Sequence, residues 1–498
     1  MSTVVPPAEA SGPAELFGHP RGLATLFFTE MWERFSYYGM RALLVLFMTD
    51  AVASGGLGLD DQTATAIYGL YTAAAYLVSL PGGWIADRLW GAQRAIWVGG
   101  VIIMCGHFVL AIPGITAFFS GLLLVVLGTG LLKPNVSAVV GDLYGANDAR
   151  RDSGFTIFYV GINVGAALGP LVCGALAVRN WHFGFAAAGV GMLAGLVQFS
   201  LSRRHLGGAG AAPTSPPTPR LAMTAWSVIG ALVAAAVALL VVGVSGAIVF
   251  DAVGLARSTT VALVVATFVY FGYVFAVGRL TADERRRVVV IIVLLFGCAM
   301  FWSGFEQAGS SLNLFAERFT QREVGVFEIP ASWFQSLNAI FIILLAPLYS
   351  WLWVALARRH LEPSAPAKFA FGLLLLGIGF AVMIGAAAFV ARGVQVWPTW
   401  LVFTYLFHTM GELALSPVGL SAMTKLAPRR FVGQMMGMWF MCTALGLAIA
   451  GLIAGSFDTA DLDSWPWQYT QIVLTTVGSA VLLLVLVKPL RRLMGGAH

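Results

Sequence analysis

The sequence predicts an all-α membrane protein of fourteen transmembrane helices in the order six, two, six, and three observations carry that prediction. Only 10% of the 498 residues are charged while 59% are hydrophobic; a soluble domain is about 25% charged. Apolar stretches of about 20 residues, enough to cross a bilayer, recur along the chain between short polar connections. The basic residues alternate with them, so that 21 of the 29 Lys and Arg fall in every other connection. By the positive-inside rule that side faces the cytoplasm and both termini lie there.

In chain order, six spans read near 22–53, 62–88, 93–113, 117–142, 153–179 and 183–202. They form a first unit, 1–202. The stretch SRRHLGGAGAAPTSPPTPR (202–220) is too polar to insert and reads as a linker. Two nearly uncharged spans follow near 221–250 and 258–278, so that 203–287 reads as a cytoplasmic linker with two inserted helices. Their lack of internal charge suggests that they pack toward lipid. Six more spans, near 288–316, 331–357, 368–391, 397–425, 431–456 and 467–487, make a second unit, 288–498.

Residues 1–20 have neither a basic leader nor an apolar core, which predicts an uncleaved first span. Cys105, Cys173, Cys298 and Cys442 each stand alone in an apolar stretch and read as small buried hydrophobes. The net charge of +6 comes from scattered clusters with no basic stripe, which argues against nucleic acid as a partner.

The first span is the exception to the apolar rule. In FTEMWERFSYYGMRALLVLF (28–47), Glu30, Glu33, Arg34, Tyr37 and Arg41 follow a helical spacing that puts all five on one stripe. A charge at bilayer depth costs at least about 2.5–3.5 kcal/mol and faces a bundle interior or a wet cavity, so the stripe reads as a functional site. Lys133 lies in mid-span just before Pro134, where the helix should kink. Asn163 follows Tyr159 in the fifth span, and Glu306 follows Trp302 in the ninth. Gln335 and Asn338 share a face, Glu412 sits mid-span, and Trp439 stands in QMMGMWF. The intramembrane acids Glu30, Glu33, Glu306 and Glu412 nearly balance the bases Arg34, Arg41 and Lys133, so pairing across a central cavity makes them tolerable.

Two histidines carry competing readings. His107 reads as a satisfied neutral residue on an apolar face, whereas His408 reads equally as such a residue or, four residues before Glu412, as one placed to share its proton.

The segment GGWIADRLWGAQR (82–94) resembles the short loop motif of the major facilitator superfamily, whose fold is two six-helix bundles around a central cavity. In it Asp87 and Arg88 are placed to tie helix ends together. The block from Glu30 to Arg41 resembles the ExxERFxYY signature of the proton-dependent oligopeptide transporter family. GxxKPN (130–135), FYxxIN (158–163), Glu306 in FEQ, SLN (336–338) and GELALSPVGLS (411–421) resemble its other landmarks. The resemblance implies a major facilitator fold with two inserted helices, as in bacterial members. Ala166 and Ala95 depart from the family pattern, where Ser and Thr are usual, and neither touches a charge.

A di- or tripeptide offers a carboxylate, an ammonium and unpredictable side chains, so a cavity for many peptides should grip the ends. Arg34, Arg41 and Lys133 are placed to hold the carboxylate, and Glu412 with Asn163 and Asn338 the amine; the resemblance implies the same division. Tyr37, Tyr38, Tyr76, Trp302 and Trp439 would supply amphipathic walls, and Ser416 lies in the GELALSPVGLS landmark of the binding region. Tyr68 and Tyr71 read as packing residues.

No nucleotide-binding GxxxxGK[ST] occurs, so the expected energy source is a proton gradient with no cofactor and no metal. Glu30, Glu33, Arg34, Lys133 and Glu306 form the expected proton-coupling set, and Arg41–Glu306 the expected gate salt bridge. The sequence therefore predicts a multi-pass protein of the bacterial inner membrane that imports di- and tripeptides with protons by alternating access, functional as a monomer. A fourteen-span drug/proton antiporter is the alternative, disfavoured because three cations would repel a cationic drug. A membrane-embedded enzyme lacks support, since HExxH and GxSxG are absent.

Overall fold

The computed structural model describes residues 15–145, 148, 150–245, 251–458 and 461–494. The reading of residues 1–20 as holding no cleavable leader therefore falls largely outside the described residues. The described chain is mainly helical and carries two two-stranded hairpins, β1 Glu15–Leu16 with β2 His19–Pro20 and β3 Glu323–Val324 with β4 Phe327–Glu328, both antiparallel.

Among the described residues, sixteen α-helices build the membrane part. They are α1 Arg21–Thr49, α2 Asp61–Leu77, α3 Ser79–Ile85, α4 Ala92–Leu110, α5 Ile115–Asp142, α6 Arg151–Ala177, α7 Trp181–Ser202 and α8 Pro219–Val244. There follow α9 Ala252–Val277, α10 Ala282–Phe305, α11 Ser311–Phe319, α12 Ser336–Arg358, α13 Ala365–Val390, α14 Thr399–Leu426, α15 Val432–Ala454 and α16 Trp465–Met494. Among the described residues, twelve helical stretches are long and apolar enough to cross a membrane. To these we add α1 and α14, with 29 and 28 residues, each about 42 Å long at 1.5 Å per residue; α1 carries the charged stripe and α14 carries Glu412. The fourteen expected spans are all present.

Two of the spans are broken. A π turn at Ala86–Trp90 ends the α2–α3 span, and a 3-10 turn at Glu306–Gly309 separates α10 from α11. The sequence read 288–316 as one uninterrupted helix; the backbone instead unwinds at Ser310 (φ −125°, ψ −99°) just past Glu306. Such breaks free backbone groups and are tolerated in a membrane only where protein or a cavity covers them. Gln307 shows how: its amide donates to the carbonyls of Ser303 and Ala450 at 3.2 and 3.1 Å.

The N-terminal helices pack α1 against α6 and α7, and α4 against α5; the C-terminal ones pack α13 against α14 and α16, and α10 against α15. Glycine permits the closest approaches. A Cβ on Gly165 would collide with the Met31 carbonyl of α1, and Gly69 of α2 meets Gly451 of α15 backbone to backbone. The α2–α15 and α6–α12 contacts join the two sets of helices. A buried cluster running from Phe35 to Met494 continues across that junction.

Helices α8 and α9 lie outside the rest. Almost none of the apolar window of α8 is buried, and α9 buries Ala256, Leu263, Phe271 and Val274 where it meets α2 and α15. The linker before them is docked rather than free. Gln93 binds its backbone, accepting Arg203 Nε at 2.8 Å and donating to the carbonyls of Gly207 and Ala209, and Ser215 donates its amide to the Asp87 carbonyl. Among the described residues neither Asp87 nor Arg88 makes an ion pair; the tie at this loop runs through Gln93 and backbone groups instead.

Candidate functional site

The α1 stripe turns inward along its whole length, with Glu30, Glu33, Arg34, Tyr37 and Arg41 each at most 6% exposed. Two charge clusters divide it. Lower down, the Arg34 guanidinium contacts both carboxylates of its own helix, Glu30 at 3.0 Å and Glu33, and lies over the Tyr37 ring at 5.4 Å. Lys133 completes this cluster from α5. Among the described residues no carboxylate lies within ion-pair range of it; its ammonium sits 3.7 Å from the centre of the Tyr76 ring of α2 and within Coulombic reach of Arg34, Glu33, Glu30 and Glu306. A half-buried lysine held by an aromatic face keeps its three donors available to an anion.

Two turns further along α1, Arg41 reaches the other set of helices. It donates to both oxygens of Glu306, at 3.3 and 3.2 Å, and both side chains are under a tenth exposed. Glu306 opens the 3-10 turn that follows α10, and its carboxylate meets Arg41 of α1. Tyr68 donates to Glu306 Oε2 at 3.2 Å, and Arg41 lies over Tyr38 at 5.1 Å and Tyr68 at 6.0 Å. The expected pair of Arg41 and Glu306 is thus a buried triad, and Tyr68, read from sequence as packing, is its third member.

Further polar bridges between the two sets lie on the same side of the bilayer. Arg318 of α11 binds Asp61 of α2 through two bonds of 2.6 and 2.8 Å. Asn313 donates to the Ala42 carbonyl, Ser336 to that of Ala167, and Trp333 to that of Leu171. All of them are at or beyond Arg41, away from the basic connections.

Facing the α1 cluster, Asn338 of α12 donates to Glu412 Oε2 at 3.0 Å and to Thr409 at 3.1 Å. Ser416, one turn past Glu412, has a buried hydroxyl with no partner, as does the Trp302 indole nitrogen. Tyr76 is the meeting point, lying within Coulombic reach of Glu306, Arg34, Arg41 and Glu412 together.

Other expected residues stand differently. Asn163 donates to the Tyr159 carbonyl of its own helix at 2.9 Å. Tyr159 is 39% exposed and within reach of Glu412, a position beside the site that the sequence did not assign to it. Trp439 turns into the C-terminal helices, its ring pressed on Gly419 and edge-on to Phe369, and is 5% exposed. His408 packs between Phe380 at 4.6 Å and Phe305 at 6.4 Å. Among the described residues it forms no ion pair, so its spacing from Glu412 does not bring imidazole to carboxylate. His107 is fully buried with both ring nitrogens unpartnered. Among the described residues no group of His, Cys, Asp and Glu is arranged to hold a metal ion.

Comparison with known proteins agrees with this geometry. Residues 93–472 match the profile of the POT family. The chain is 43% identical to the peptide transporter YePEPT of Yersinia enterocolitica, over 98% of each chain. It is 38% identical to a di-/tripeptide transporter of Lactococcus lactis subsp. cremoris, covering 96% of this chain and 97% of that one. A crystal structure of a peptide transporter POT in complex with sulfate superposes with a TM-score of 0.91 at 42% identity, covering 97% and 98% of the two chains. This is a family of transporters and not of enzymes, with a major-facilitator-like fold, and its bacterial members place the chain in the inner membrane as a multi-pass protein. From its charged first helix to Glu412 in α14, the chain belongs to the POT family, the proton-dependent oligopeptide transporters.

Proposed function

We propose that the chain imports di- and tripeptides together with protons across the bacterial inner membrane, by alternating access of its two six-helix bundles, 1–202 and 288–498, with both termini in the cytoplasm. The observation that carries this reading is the division of charge around Tyr76: cations on one side, Lys133 with no carboxylate in ion-pair range among the described residues and Arg34 shared by Glu30 and Glu33, and a carboxylate already oriented by an amide on the other, Glu412 with Asn338. A zwitterionic peptide matches that division end for end. Arg34, Arg41 and Lys133 take its carboxylate; Glu412, Asn338 and Asn163 take its amine. Tyr37, Tyr38, Tyr76, Trp302 and Ser416 complete the pocket, and no cofactor is needed beyond the proton gradient.

Proton coupling follows from competition for cations. Arg34 is shared by Glu30 and Glu33, so a substrate carboxylate that draws Arg34 or Lys133 away leaves an acid in low dielectric, where the protonated form is favoured. Glu306 acts at the gate: protonation removes the charge that holds Arg41 and releases the bundles on that side. The bridges beyond Arg41 support a state closed to the outside and approached from the cytoplasm.

The test is dipeptide uptake into liposomes under an inward proton gradient. Glu33→Gln and Glu306→Gln should lose concentrative uptake while retaining counterflow exchange. Wild-type rates in both assays would sink the coupling scheme. Competition by lipophilic cations in place of dipeptides would instead favour a drug antiporter.

A further inference from the structure

One buried hydroxyl beside the α1 stripe has no part in the coupling scheme. Tyr71 of α2 is 5% exposed, and among the described residues its hydroxyl has no hydrogen-bond partner. The same holds for both carboxylate oxygens of Glu33, fully buried on α1, although Arg34 is in ion-pair contact with one of them. We propose that Tyr71 is a positioning residue for Glu33: once substrate has drawn Arg34 away, the Tyr71 hydroxyl is the donor left to the Glu33 carboxylate, and it eases release of the proton that Glu33 has taken up. The inference rests on the coupling scheme above, in which Glu33 carries a proton.

Helix packing sets the reach of that hydroxyl. Tyr68 and Tyr71 stand three apart on α2 and so share a face, which runs beside the α1 stripe. Arg41 lies over the Tyr68 ring at 6.0 Å, and Tyr37 stacks on Tyr71 with ring centres 6.4 Å apart and planes at 25°. Tyr68 donates its hydroxyl to Glu306. Tyr71, nearly one turn further along, is within Coulombic reach of Tyr37, Glu33, Tyr68 and Arg41, a set in which Glu33 is the carboxylate. Behind the Tyr71 ring lies an apolar cavity of about 530 Å³ between α2, α5, α8 and α9, whose other described lining residues carry no charge and, Thr63 apart, no polar side chain. The polar groups open to the hydroxyl therefore lie on the α1 side.

Few groups face Glu33. They are Glu30 and Arg34 on its own helix, Lys133 of α5 and Tyr71 of α2; α6 and α7 turn Gly165 and Met192 toward this part of α1. Arg34 and Lys133 are the two cations that a substrate carboxylate takes. Stripped of both in low dielectric, Glu33 would keep its proton, whereas a hydrogen bond donated to the carboxylate favours the charged form. Tyr71 supplies that bond from a position the substrate does not occupy.

The test is dialanine uptake into liposomes holding the full chain, with the initial rate followed against outer pH for wild type, Tyr71→Phe and a chain carrying 3-fluorotyrosine at position 71. Tyr71→Phe keeps the ring and its stacking on Tyr37 and loses only the donor. The pH of half-maximal uptake should rise by about one unit, the effect of one hydrogen bond to a charged group. Fluorotyrosine, a stronger donor of nearly the same shape, should lower it. A ring that only fills space would not move the profile in opposite directions. An unmoved midpoint in Tyr71→Phe, or shifts of the same sign in both chains, would overturn the proposal. Glu33→Gln in the same assay separates the two layers of argument: if it loses concentrative uptake while the Tyr71→Phe midpoint stays put, only the role of Tyr71 falls, and if it keeps the wild-type pH profile, the coupling scheme falls and the role of Tyr71 with it.

Discussion

Replacing Glu306 by Gln should open the side of the protein that the described structure holds closed. Arg41 makes two bonds to Glu306 in a setting where the side chains are 8% and 5% exposed, so solvent screening is small. Removing one partner of a buried pair costs about 3–5 kcal/mol, because the remaining charge is stranded. The glutamine oxygen still accepts one bond, which puts the loss near the lower figure, about 3 kcal/mol. At about 1.4 kcal/mol per tenfold, that is a shift of about a hundredfold toward the state in which Arg41 reaches water. Spin labels at Val52→Cys and Val326→Cys, both highly exposed on connections at that end, in a Cys105→Ser background, would report it as a longer separation. An unchanged distance distribution would refute the idea that this bridge holds the gate. Arg41→Met with Glu306→Leu supplies the control: an apolar pair strands no charge and should restore the short distance.

Three further outcomes are expected. Arg318 and Asp61 are 29% and 19% exposed at the side chain, so Arg318→Ala should destabilise the closed state by only about 1 kcal/mol, and the swap Asp61→Arg with Arg318→Asp should recover most of it in the same distance measurement. A Cβ on Gly82 would overlap the Gly130 carbonyl of α5, so Gly82→Ala should lower thermal stability in detergent by at least about 1–3 kcal/mol; wild-type stability would show that α3 can shift. The Thr63 amide donates to Asp60 at 2.8 Å and holds that carboxyl below the usual aspartate range. Because its folded value is depressed, the cap stabilises α2 above the unfolded pKa of about 3.9 and is lost as the pH falls through the folded value. Hydrogen exchange in the first turn of α2 should therefore be faster in Asp60→Ala than in wild type at neutral pH, by about 1 kcal/mol, and the difference should vanish in acid; equal rates at neutral pH would show that the cap contributes nothing.

Some of the site was legible because its cause is local. Helical spacing alone puts Glu30, Glu33, Arg34, Tyr37 and Arg41 on one stripe, and bilayer energetics alone require that stripe to face inward. Arg41 and Glu306 are 265 positions apart, yet their opposite charges in apolar spans made them candidates for one another. Tyr68 and Tyr159 were not legible in the same way. A tyrosine fits packing and cavity wall equally well, and its role depends on what the neighbouring helix presents. Trp439 and His408 err in the opposite direction: their spacing is compatible with the cavity, but Gly419 accepts the indole ring and Phe380 the imidazole within the bundle.

By itself the sequence determined that this is a polytopic helical membrane protein, roughly where its spans lie, and that acids and bases inside them must meet, because hydropathy, charge cost and helical period act on neighbouring residues. Only the tertiary structure decided which charges meet. Glu306, in the turn after α10, meets Arg41 and Tyr68, while Lys133 is left over Tyr76 with no carboxylate beside it among the described residues. Those choices depend on how helices distant in sequence approach one another, and that approach is set by small residues such as Gly69 and Gly451, whose significance appears only when their backbones touch.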